Sequence, residues 1–344
     1  MRKRLAVPAA LPGLCLLWLL VSGCFGGGGA PADLGQADSA NAVDVRSGPT
    51  PTPGPMVEEQ TGPPRATVPE LAMDGPVPTA TLSATAVYQG GAILVRATGG
   101  TSGAVTVLER TVPMALVGDE LVALVGFGTQ DPPGSTYLSI DILNSQGEWD
   151  YIARTITVYS TEWTVDYITI PPPPPPDPNA PPGPPPPPPP PDEGPLLPGI
   201  YAGITGRKWD GGWGAPLDEL RITGHFGEQR SFNGGPVQGH HGGTDFGANF
   251  GTPIYASNAG VVVMSGLYLL RGNIVVVDHG LGVFSLYGHM SERAVEVGDT
   301  VSKGQVLGYI GSTGLSTGAH LHWEVSVFGV LVDGLRWLDG SQGF

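Results

Sequence analysis

The chain has 344 residues, a formal charge of −15 and only two cysteines, against 54 glycines and 37 prolines. The acidity argues against nucleic acid as a partner, and two cysteines are too few for a disulfide framework. The length allows about two domains, and the proline and glycine content reduces the globular share.

Residues 1–23 read as a signal peptide. Arg2, Lys3 and Arg4 form a basic start, and the apolar run Leu14–Val21 is too short for a comfortable membrane span. The run ends in Leu20-Val-Ser-Gly-Cys24, which resembles the lipobox of bacterial lipoproteins. The resemblance implies cleavage before Cys24, a lipid on its thiol, and residence in the cell envelope on the outer side of a membrane. An ordinary secretory signal is the alternative. Cys15 would leave with the signal, so a Cys-ligated zinc site is excluded in the mature chain.

Residues 24–77 are Gly, Pro, Ala, Ser, Thr and acidic residues without apolar periodicity, a flexible tether with a reach of about 40 Å. Residues 78–170 change to short β-type segments such as Ala92–Ala97, Thr136–Ile142 and Tyr151–Val158, punctuated by turns such as Asp131-Pro-Pro-Gly134. The spacing predicts an immunoglobulin-like β-sandwich with no charged or aromatic cluster that reads as a site, a spacer or substrate-positioning domain. Residues 171–198 form a proline-rich linker, expected to adopt polyproline II as a semi-rigid spacer. Residues 199–344 are again β-rich, with strand candidates at Val261–Met264, Asn273–Val277 and Val283–Tyr287 and no long amphipathic helix. The fold class is therefore all-β.

All seven histidines lie between His225 and His322, inside that last segment. Clustered imidazoles point to a metal or an acid–base centre, because neutral imidazole is a common zinc ligand and titrates near neutral pH. In a strand, His320 and His322 share one face with Glu324, while Leu321 and Trp323 take the other. His241-Gly-Gly-Thr-Asp245 supplies a second pair, and its glycines argue for a turn rather than a helix. A catalytic zinc site keeps about three N/O ligands and one open position. His241, Asp245 and one of His320 or His322 would supply the three, with His289 left to handle protons.

The segment also resembles the lysostaphin/LytM-type zinc metallopeptidases, which cleave peptide bridges of bacterial peptidoglycan. The residues that carry the resemblance are Phe226-Gly-Glu-Gln-Arg230, His241/Gly243/Asp245, Gly251–Ala256 and Gly272–Gly280. They continue through Tyr287-Gly-His-Met290, Val297–Gln305 and Gly308–Gly314 to His320-Leu-His-Trp-Glu324. The resemblance implies a β-rich peptidase domain with antiparallel sheets and an open groove, binding one zinc ion through His241, Asp245 and His322. It makes His289 and His320 the catalytic histidines and peptidoglycan the substrate. Such an ion polarises the scissile carbonyl and activates water. With no HExxH glutamate as base, His289 and His320 are left to move protons and steady the oxyanion, their roles undivided. Activity is expected to fall below about pH 6, near the ordinary imidazole value.

Several neighbours have plainer readings. His240 has the wrong spacing to Asp245 for a ligand, and His225 and His279 read as structural. Glu324 either bonds a ligand histidine or is an exposed strand residue, and Arg230 is structural or substrate-binding. Gly311–Gly314 lacks the lysine of a P-loop and reads as turns. A quiet regulator of another wall hydrolase is the second functional reading, and a biotinyl-type carrier built on Lys303 is a third that lacks the expected neighbours.

Overall fold

The computed structural model describes residues 77–170 and 187–340. The signal peptide, Cys24, the tether and most of the proline linker lie outside the described residues. Among the described residues no helix is long and apolar enough to cross a membrane.

The first region runs through β1 (Thr79–Leu82), β2 (Ala86–Tyr88), β3 (Ala92–Thr98), β4 (Gly100–Val107), β5 (Arg110–Pro113) and β6 (Ala115–Val117). It continues through β7 (Glu120–Gly126), β8 (Gly134–Asn144), β9 (Trp149–Tyr159) and β10 (Val165–Ile168). They form a four-stranded sheet, β1-β3-β7-β6, and a five-stranded sheet, β2-β9-β8-β4-β5. Strand β8 shows the cause in its sequence: Leu138, Ile140 and Ile142 alternate with polar residues and are fully buried. They meet Ile93, Val95, Ala123 and Val125 of the other sheet in one apolar core.

Strands β3 and β7 read differently, as almost unbroken apolar runs, because they are covered on both faces. Their second face, Ala92, Leu94, Val122 and Leu124, belongs to one apolar core with Val325, Val327 and Val332 of the C-terminal region. The two β regions therefore meet directly.

After the short helix α1 (Leu197–Tyr201), the C-terminal region contains β11 (Ile222–Gly224), β12 (Gln229–Phe232), β13 (Gln238–His240), β14 (Thr244–Gly247), β15 (Pro253–Tyr255) and β16 (Gly260–Tyr268). Then come β17 (Gly272–Gly280), β18 (Val283–Arg293), β19 (Thr300–Val301), β20 (Val306–Ile310), β21 (His320–Val327), β22 (Val330–Val332) and the turn of helix α2 (Leu335–Leu338). A ten-stranded sheet is built along β11-β14-β21-β18-β17-β16-β19, and its pairings are antiparallel.

Strand β10, the last element before the proline stretch, departs from expectation. It leaves the first region and pairs in parallel with β12, placing Asp166 opposite Arg230. Trp163 anchors it, lying edge-on to Phe226 and to His240 at 5.9 Å each. Gly227, at φ +81°, makes room, since a Cβ there would lie 2.1 Å from the Trp163 ring.

Candidate metal centre

The antiparallel register of β14 and β21 sets Asp245 directly opposite His322 and Gly247 opposite His320. Cross-strand partners face the same side, so the carboxylate and the imidazole meet: His322 Nδ1 lies 2.7 Å from Asp245 Oδ1. His241 arrives from the turn after β13, its Nε2 3.1 Å from Asp245 Oδ1 and 3.1 Å from His322 Nδ1. That turn hugs β21 because Gly243 has no side chain; a Cβ would stand 2.4 Å from the Trp323 carbonyl oxygen. His241, Asp245 and His322 are all buried.

The hydrogen bonds on the far side of each ring fix the tautomers. His241 Nδ1 donates to the His225 carbonyl at 2.8 Å, and His322 Nε2 donates to Glu324 Oε1 at 2.8 Å. With one proton on each neutral ring, His241 Nε2 and His322 Nδ1 turn lone pairs inward, onto a carboxylate oxygen. Three lone pairs converging in a buried triangle call for a cation at its centre. Edges of 2.7 to 3.1 Å are slightly tighter than the roughly 3.3 Å between ligand atoms around a tetrahedral ion with bonds of about 2.0–2.1 Å. The residues fit a metal ion.

The charges agree with that reading. Burial works to raise the Asp245 carboxyl, but the His241 and His322 hydrogen bonds outweigh it and hold the group ionised far below the usual range. Burial lowers His241. It also works against charge on His322, yet the bonds to Asp245 and Glu324 prevail and raise it, so without metal a proton is drawn into the triangle. Arg230 Nη2 donates to the other oxygen, Asp245 Oδ2, at 2.8 Å. Arg230 therefore orients a candidate ligand. Glu324 is 1% exposed, and the exposed-strand alternative is overturned.

His289 and His320 sit beside the triangle, their ring centroids 4.6 Å apart. His289 Nδ1 donates to the Thr313 carbonyl at 2.8 Å and His320 Nδ1 to the Gly318 carbonyl at 2.9 Å. These bonds leave Nε2 of each ring unused, and that of His320 is 3.9 Å from Asp245 Oδ1. Burial, followed by the charge on His322, pushes His289 down to about 3. At φ +59° it holds a backbone conformation that non-glycine residues rarely adopt. Thr313 explains the Gly311–Gly314 turns: their job is to deliver this carbonyl to His289.

A groove opens over these groups. One wall is the loop from Leu315 to His320; another is β10 and its extension, through Asp166, Ile168 and Ile170. Sequence reading missed this wall, because nothing in Val165-Asp-Tyr-Ile168 distinguishes it from another sandwich strand. The remaining histidines stay apart. His240 Nδ1 bonds the Gly227 carbonyl, and His279 bonds Ala259 and Ser285 at the far end of the sheet.

Residues 239–334 match peptidase family M23. The match takes in the candidate centre and covers under a third of the chain. The chain aligns at 40% identity over 122 residues with peptidoglycan DD-endopeptidase ShyA of Vibrio cholerae, covering 35% of this chain and 28% of that protein. DD-carboxypeptidase/endopeptidase Mpg of Neisseria meningitidis is 44% identical over 89 residues, 26% of this chain and 20% of the relative. This chain thus spans less than a third of either relative. A crystal structure of an M23 peptidase from Pseudomonas aeruginosa shares the fold, with a TM-score of 0.51 at 23% identity over 73% of this chain and 94% of the other. Within the matched stretch, His241, Asp245 and His322 form a group that could hold a metal ion.

Proposed function

We propose that the chain is a lipid-anchored zinc metalloendopeptidase that hydrolyses peptide cross-links of bacterial peptidoglycan. The observation that carries the reading is the buried convergence of His241 Nε2, Asp245 Oδ1 and His322 Nδ1 beside the two further imidazoles of His289 and His320. Two imidazole nitrogens and one carboxylate oxygen suit zinc, and His241, Asp245 and His322 would hold it. When bound, zinc supplies a Lewis acid and lowers the pKa of water.

The chain's own residues do the rest. Glu324 and the His225 carbonyl keep the two imidazoles in the ligating tautomer. His289, neutral down to about pH 3, offers Nε2 as a proton acceptor at ordinary pH. His320 lies alongside, on the groove wall, placed to exchange a proton with the leaving amine or to steady the oxyanion. The groove walls orient an extended peptide over these groups.

The names of the relatives support peptidoglycan as substrate. Cys24, after the basic and apolar start, supports a lipid anchor and an extracytoplasmic place in the envelope. The two stacked sheets of residues 78–170 support an immunoglobulin-like module, followed by the linker and a peptidase domain from about residue 199. The intact donor set disfavours the quiet-regulator alternative. Mass spectrometry of fragments released from purified peptidoglycan by zinc-loaded protein, with His320→Ala as control, tests the proposal and identifies the bond. Equal release by the variant would sink it.

A further inference from the structure

Glu193 precedes the M23 match, directly after the proline stretch, yet it is 0% exposed. A carboxylate so buried needs compensating donors. It has them on one short segment: the backbone N–H of Arg271 at 2.8 Å, the backbone N–H of Leu270 at 3.2 Å and Arg271 Nη1 at 3.3 Å. Its own carbonyl accepts the N–H of Leu196 and Leu197 at the start of α1.

The segment it grips leads to both halves of the centre. The Arg271 guanidinium reaches Glu324 Oε1 through Nε at 2.8 Å and Nη2 at 2.6 Å, and that same oxygen accepts the His322 Nε2 proton. The Arg271 carbonyl accepts the backbone N–H of His289 at 2.7 Å. His289 sits in the left-handed region, where surrounding contacts must hold a non-glycine residue. The Leu270 carbonyl accepts the N–H of Leu315 on the groove wall. One carboxylate thus stands behind a ligand imidazole, a proton-handling imidazole and the groove loop.

We infer that Glu193 is a positioning residue of the centre, acting through Arg271 on Glu324–His322 and on His289. The inference rests on the hydrolase reading, but its first readout needs no substrate. Arg271 spans two carboxylates with a planar fork, which lysine cannot do. Removing the charge of Glu193 frees Arg271 to shift, and with it the acceptor that fixes the His322 tautomer.

The test uses the full chain as wild type, Glu193→Gln, Arg271→Lys and the double variant. Zinc affinity is measured by chelator competition, melting is followed on the metal-free proteins, and kcat and KM are read on a peptidoglycan peptide. Glu193→Gln is expected to lower zinc affinity about 10-fold, the low end for residues one bond removed from a ligand. It should lower kcat while KM stays within about twofold. The double variant should be no worse than Arg271→Lys alone, since both act along one path. Wild-type zinc affinity and kcat with only a lower melting temperature would overturn the inference and leave Glu193 a plain anchor. Additive losses would overturn the route through Arg271. If Glu193→Gln does not fold, Glu193→Asp withdraws the charge by one methylene and carries the same expectation and the same overturning result. Wild-type protein that binds zinc but cleaves nothing sinks the hydrolase reading and leaves the zinc comparison decisive for Glu193.

Discussion

Glu324 Oε1 lies 2.8 Å from His322 Nε2, and this bond decides which nitrogen of His322 is free to ligate. In Glu324→Gln the amide can offer its N–H instead, which favours the wrong tautomer and leaves Arg271 facing a neutral group. We expect zinc affinity to fall by about 10–100-fold in chelator competition. An unchanged affinity would mean that the tautomer is set elsewhere.

His289 and His320 face the site without belonging to the triangle. Alanine at either position should leave one equivalent of zinc bound while kcat falls by about 100-fold or more. Zinc content by elemental analysis alongside turnover separates this from loss of a ligand, for which His322→Ala is the reference. Because burial holds His289 near 3, its protonation does not produce the fall in activity expected below about pH 6. That fall should instead track loss of zinc as protons enter the triangle through the raised His322.

The sequence exposed the centre more clearly than its support. His320 and His322 fall two apart in a strand, and Asp245 follows His241 through two glycines; both patterns have a geometry that residue types alone express. The spacing of Leu138, Ile140 and Ile142 likewise announced a half-buried strand. Glu193, Arg271 and Trp163 gave no such signal, because their partners lie far away in the chain: Arg271 for Glu193, Glu324 for Arg271 and Gly227 for Trp163. Long-range partnerships leave no period to read. The proline-rich context of Glu193 even suggested the opposite, a solvated spacer.

His279 is completely buried and bonded through both ring nitrogens, and burial pushes it down to about 4. Its folded value lies below the unfolded value of about 6.5, so its contribution is present above pH 6.5 and disappears as pH falls towards 4. The loss is on the order of 3 kcal/mol. Urea midpoints across that range should fall more steeply for wild type than for His279→Asn, which begins less stable. Parallel curves would refute the assignment.

Trp163 fastens β10 to the wall of the groove. Trp163→Ala should cost about 2 kcal/mol of stability, roughly half the penalty at a fully buried site. If β10 contributes to substrate binding, KM should rise more than kcat falls. Steady-state kinetics on a soluble peptidoglycan peptide would show it, and an unaltered KM would reduce β10 to scaffolding.

The parallel pairing of β10 with β12 has an architectural consequence. A catalytic fragment trimmed to begin at residue 199 would lack both Glu193 and one side of its own cleft. The C-terminal region is therefore no interchangeable cassette. Grafting its histidine-bearing sheet onto another leader would transplant the chemistry without the jig that aligns it, and the two regions are expected to be inherited as a pair.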